Sequence, residues 1–108
     1  MARGEFRGTE RLYRRALSIF EGSYGPNHPV VAAGLNNLAQ LLQATNRLSE
    51  AEPLLRRGLA ILHQFREETG HAHPNWRGRI QNYKNILKSL ALPADEIARR
   101  IGEVSGGS

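Results

Sequence analysis

Side-chain carboxamides recur at helical spacing in two places, and of all the side chains here they are the best suited to gripping another molecule. If the chain is helical from Pro29 onward, Ala33, Asn36, Gln40 and Gln43 share one face, with Asn37 at its border. Gln81, Asn82, Asn85 and Lys88 repeat the arrangement later, with Gly78 standing where Ala33 stands. A carboxamide donates and accepts at once, so a row of them can satisfy the N–H and C=O groups of an extended peptide without reading its side chains. A small residue at 33 and at 78 leaves room beside such a row. An asparagine in a helix can equally bond to a neighbouring helix or loop, and both uses stay open at this point.

Other chemistries find less support. His71 and His73 form an H-x-H with His63 before them, but zinc needs three or four converging ligands, and Glu67 and Glu68 do not clearly complete such a set. His28 and His73 each precede a proline and read more simply as helix-start residues, so neither metal nor any other cofactor is expected. There is no Gly-rich phosphate loop, no H-E-x-x-H and no G-x-S-x-G. Glu50 and Glu52 are two residues apart, a spacing at which helix side chains do not face each other. Catalysis is therefore not expected.

The charge balance is +5, and the cations comprise 13 Arg and 2 Lys. Arg14, Arg15, Arg56 and Arg57 form a recurring basic ladder, which would bind phosphates in a strongly salt-dependent way. No aromatic stacking motif accompanies the N-terminal arginines, so a solvated helix face is the simpler reading and nucleic acid is not the favoured partner. The 108 residues make one small domain at most, without cysteines for disulfides or thiolate metal sites. No apolar run approaches the ~18 residues of a membrane span. The N-terminus has no apolar signal region, and a cytoplasmic location is the expectation.

The elements that must hold the amides are set by an internal repeat. Displaced by 42, Glu10, Leu12, Arg14, Arg15, Leu17 and Ile19 fall on Glu52, Leu54, Arg56, Arg57, Leu59 and Ile61. Displaced by 45, Gly25, His28, Pro29, Asn37 and Leu42 fall on Gly70, His73, Pro74, Asn82 and Leu87, which implies a three-residue insertion near QFREET. Each repeat reads as a helix pair, A then B. The chain is then one repeat domain over 1–108: helix B of a truncated repeat at 4–24, a complete A/B repeat at 28–69, helix A of a last repeat at 73–92, a capping helix at 93–104 and a flexible tail at 105–108. Leu35, Leu38, Ala39 and Leu42 make the apolar stripe of the first A helix. Asn46 is expected to end that helix in a left-handed conformation. Ser49 with Glu52 reads as a capping box for the next helix, and Gly70 stops it. Small residues at Ala39, Ala51 and Gly58 let helix backbones approach. The fold expected is all-α, with antiparallel helix pairs stacked as a short right-handed α-solenoid.

The run GPNHPVVAAGLNNLAQLLQATNRLSEAEPLLRRGLAI resembles one full unit of the tetratricopeptide repeat family, and looks most like its long-repeat branch, found in kinesin light chains and many bacterial proteins. The resemblance extends in weaker form over residues 4–90. It implies a protein-interaction scaffold whose A helices line a concave groove, where asparagines matching Asn36 and Asn37 contact the backbone of a bound peptide. The second A helix departs from the pattern, with Trp76 and Arg77 where Val31 and Ala32 stand. The chain begins at a B helix, and Tyr13, Leu17 and Phe20 are expected to need cover. Either it is part of a longer array, or copies form a homodimer through exposed or exchanged helices.

Overall fold

The computed structural model describes residues 3–104, and of residues 3–5 the backbone alone. The tail expected at 105–108 lies outside the described residues. Five helices follow one another: α1 (Arg3–Tyr24), α2 (Pro29–Ala44), α3 (Leu48–Thr69), α4 (Trp76–Ser89) and α5 (Ala94–Val104). There is no strand among the described residues. Short connections make sequential helices antiparallel neighbours. α2 packs between α1 and α3, α4 packs on α3, and α5 covers α4 and α3. The resulting helix-pair solenoid is a slab of 42 × 37 × 17 Å.

The repeat recurs in the backbone as well as in the side chains. Gly25 and Gly70 follow α1 and α3 with φ of 89° and 77°. Asn46 and Ala91, one 45-residue step apart, follow α2 and α4 with φ of 59° and 60°. Left-handed residues of this kind satisfy the last carbonyls of a helix, and Gly70 N–H donates to Arg66 O at 2.8 Å.

The helix starts differ between repeats. His28 is extended, and its Nδ1 accepts from the Val30 N–H at 3.0 Å, with Pro29 as first helical residue. His73 also accepts, from the Asn75 N–H at 3.2 Å, but Pro74 and Asn75 form a turn and α4 begins only at Trp76. Val31 and Ala32 are completely buried in α2. Their repeat twins differ, since Trp76 is half-buried at the edge of the core and Arg77 is exposed, and a turn stands in place of the first helical turn expected at 73–75. At its other end α4 stops at Ser89, short of the expected 92.

The capping box expected from Ser49 and Glu52 is not formed. α3 starts at Leu48, and its N-cap Arg47 makes no side-chain capping bond. Arg47 instead holds Glu50 with two bonds of 2.6 and 2.8 Å and also donates to Glu10 of α1. These bonds, that from Glu50 above all, push the Arg47 pKa up, while Arg47 holds Glu10 below the usual carboxylate range.

The core runs along α2. Val31, Ala32, Leu35, Leu38, Ala39 and Leu42 are inaccessible to solvent, and each fully buried leucine stabilises the fold by about 2 kcal/mol. Opposite them, α3 brings Ala51, Leu55, Leu59 and Leu62. Gly58 passes close enough that a Cβ there would sit 3.6 Å from the Ala32 carbonyl oxygen. On the other side Leu17 and Phe20 of α1 close over Gly34. These two residues were expected to need cover, yet Leu17 is only 8% exposed and Phe20 packs against the core, because α2 turns back across them. Tyr13 stays open at 38%, and Leu12, Ile19 and Tyr24 of α1 are more exposed still.

Candidate functional site

α2 and α4 lie on the same side of α3, and their amides meet across a cleft of about 570 Å³. Asn36 and Gln40 line it from α2. Gly78, Arg79, Gln81, Asn82 and Asn85 line it from α4, and Pro74 with Asn75 close one end. Five of the carboxamides expected from the sequence thus converge. Ala33, Asn37, Gln43 and Lys88 sit on the same two helices outside the cleft lining: Ala33 and Gln43 are half-buried, and Asn37 and Lys88 are exposed.

The amides are held in position but not consumed. Asn82 Nδ2 reaches Asn36 Oδ1 at 3.5 Å, a long contact that leaves both side chains most of their bonding capacity. Gln81 Nε2 donates to Asn85 Oδ1 at 3.1 Å, one turn along α4. Nothing lies within 4 Å of a Cβ built on Gly78, so the cleft floor is open there.

Arg79, which the sequence reading passed over, fixes the spacing of the two walls. Its Nη1 donates to the Ala32 carbonyl of α2 at 3.1 Å. Burial lowers its pKa from the arginine value. Burial, and then the Arg79 charge, lower the pKa of His73, whose ring meets Phe65 edge-on at the cleft end. No carboxylate lines the cleft, and Arg79 is its one cation among the described residues.

A second polar centre holds the end of the array. Glu52 is 6% exposed. Its Oε2 accepts from the Tyr83 hydroxyl at 2.6 Å and faces Arg100 Nη1 at 3.5 Å, while Oε1 faces Arg56 at 3.8 Å. One carboxylate therefore joins α3, α4 and α5. Burial foremost, and then the bond to Glu52, push the Tyr83 phenol well above its ordinary pKa. The 42-residue register carried a signal for this centre, since Glu10–Arg14 and Glu52–Arg56 are the same i, i+4 pair one repeat apart.

A family model described as tetratricopeptide repeat matches residues 1–64, more than half of the chain. The chain belongs to the tetratricopeptide repeat family. A search of curated proteins finds no match to it. Tetratricopeptide repeats generally mediate protein–protein interaction, and the cleft lies between α2, within the matched residues, and α4, beyond them. Among the described residues no three His, Asp or Glu side chains gather as a metal site would require, and no helix is long and apolar enough to cross a membrane. The arginine ladder of the repeat is largely neutralised: Arg14 pairs with Glu10 at 3.0 Å, Arg57 with Glu21 at 3.0 Å, and Arg56 faces Glu52.

Proposed function

We propose that the chain is an interaction scaffold that holds a short extended segment of a partner protein in the α2/α4 cleft. The observation that carries this reading is the convergence of Asn36, Gln40, Gln81, Asn82 and Asn85 on one open cleft that lacks carboxylates. Asn36 and Asn82 are half-buried and Gln40, Gln81 and Asn85 are exposed, and the bonds among them leave donors and acceptors for a ligand. Arg79 adds positive potential, which favours a segment carrying a carboxylate or many free carbonyl groups. Ala33, Asn37, Gln43 and Lys88 extend the proposed surface along the two helices for a longer segment. The 42- and 45-residue spacing supports placing the chain in the long-repeat, kinesin-light-chain-like branch, and a cytoplasmic setting accords with that reading.

Peptides selected on the chain from a random library provide the test. Asn36→Ala and Asn82→Ala should each weaken a selected peptide several-fold, about 1 kcal/mol per lost hydrogen bond, with helicity unchanged. Unchanged affinity in both variants would show that the cleft is not the binding site.

A further inference from the structure

Each A helix is approached through a histidine whose ring accepts a backbone N–H two residues on. His28 Nδ1 accepts from Val30 at 3.0 Å, and His73 Nδ1 accepts from Asn75 at 3.2 Å. A neutral imidazole has one protonated and one bare nitrogen. An Nδ1 that accepts is the bare one, so the ring hydrogen of His73 is on Nε2. A second proton then enters at Nδ1, the very atom that holds the turn. Imidazolium donates at both nitrogens and accepts at neither, so protonation and the Asn75 bond exclude each other.

The two histidines differ in their surroundings. His28 is exposed and lies against the Tyr24 ring. His73 is half-buried, edge-on to Phe65 of α3 with ring centroids 5.3 Å apart. The charged group facing it from α4 is Arg79, which has the same sign as an imidazolium. The carboxylates at that end of α3 are turned to other partners: Glu67 lies 3.5 Å from His63 Nε2, and Glu68 accepts from Gln64 at 2.9 Å. His71, in the same connection, is exposed. Burial foremost, and then Arg79, hold His73 below the ordinary histidine pKa.

The turn that His73 holds is part of the cleft, since Pro74 and Asn75 close one end of it. It also sets where α4 begins and where Arg79 stands. The Trp76 N–H donates to the His73 carbonyl, and the Arg79 N–H to the Asn75 carbonyl, each at 3.0 Å.

We propose that His73 is an acid-sensitive latch on the cleft: protonation breaks its bond to Asn75, frees the Pro74–Asn75 turn and so weakens a segment held between α2 and α4. The effect on binding rests on the cleft reading above, whereas release of the turn belongs to the chain alone. An open turn takes up the proton more readily than a closed one. The latch is therefore closed above about pH 6.5 and opens as the pH falls below that value.

NMR of the free chain tests the latch. At about pH 7.5 the ring nitrogen shifts of His73 should show a bare Nδ1, and the Asn75 amide shift should titrate together with the ring as the pH is lowered. At about pH 5, after correction for the intrinsic effect of pH on exchange, protection of the Asn75 amide should fall about five-fold, as loss of a capping bond gives. The amides of Leu35 and Leu38 in the core should stay protected. His73→Asn supplies an oxygen that bonds the backbone two residues on and does not titrate, so Asn75 should stay protected at both pH values. A peptide selected from a random library at neutral pH should bind the unaltered chain about five-fold more weakly in acid, and His73→Asn with steady affinity. Undiminished Asn75 protection in acid, or an equal loss in His73→Asn, would overturn the latch. So would a peptide affinity that falls equally in both chains. If no peptide binds while Asn75 still titrates with His73, release of the turn stands and the cleft reading alone fails.

Discussion

Replacing Tyr83 by phenylalanine isolates one hydrogen bond with the ring left in place. The hydroxyl donates to the nearly buried Glu52 carboxylate at 2.6 Å, and the ring itself is completely buried. A hydrogen bond to a charged group contributes about 1.5–3 kcal/mol. Arg100 at 3.5 Å and Arg56 at 3.8 Å remain beside the carboxylate, so it is not left alone, and the loss should be about 2 kcal/mol. For a domain of this size that lowers Tm by roughly 10 °C. The wild-type phenol carries a second signature. Its pKa is raised in the folded chain, so its contribution is complete below the unfolded value near 10 and is lost as pH rises beyond that. Urea unfolding followed at 222 nm, at neutral pH and again above pH 10, measures both effects. Tyr83→Phe should be less stable at neutral pH and lose less stability on going alkaline. A change within about 0.5 kcal/mol, the range of an ordinary surface substitution, with an unaltered alkaline profile would refute the view that this bond ties α4 to α3.

The left-handed position after α4 is occupied by Ala91 at φ 60°, where its repeat twin is Asn46. Ala91→Gly should therefore stabilise the chain by about 1 kcal/mol, and Gly70→Ala, at φ 77°, should destabilise it by a similar amount, both read by thermal unfolding. His73 has a lowered pKa when folded, so the unfolded chain takes up its proton first. Stability should fall as pH drops through about 6.5 toward the folded value, and His73→Gln should flatten that slope in urea titrations between about pH 5 and 7.5.

Much of the fold was legible because the repeat doubles every signal. Gly25 with Gly70, and Leu17 with Leu59, each argued for the other, and Asn46 was readable as a left-handed helix end. The start of α4 was not readable: Trp76 is half-buried and Arg77 exposed where Val31 and Ala32 are interior, and Pro74 and Asn75 form a turn before the helix begins. Ser49 and Glu52 matched a local capping motif, but burial of Glu52 against Tyr83 and Arg100 outweighed the local bond, a competition between distant residues that spacing alone does not disclose. In the cleft, helical spacing correctly grouped Asn36 with Gln40 and Gln81 with Asn85. It gave no hint that Arg79 would reach across to the Ala32 carbonyl, because a long side chain's partner depends on how the two helices are set.

The central claim, that a partner segment lies between α2 and α4, is tested most directly at Gly78. This residue lines the cleft, and a side chain added there meets nothing within 4 Å. Gly78→Leu should keep or slightly raise the melting temperature, since leucine is the better helix former by about 0.8 kcal/mol. By calorimetry it should lose measurable affinity for library-selected peptides that bind the unaltered chain. Full binding by a folded Gly78→Leu chain would contradict the account, because the cleft would then be filled and the partner would lie elsewhere.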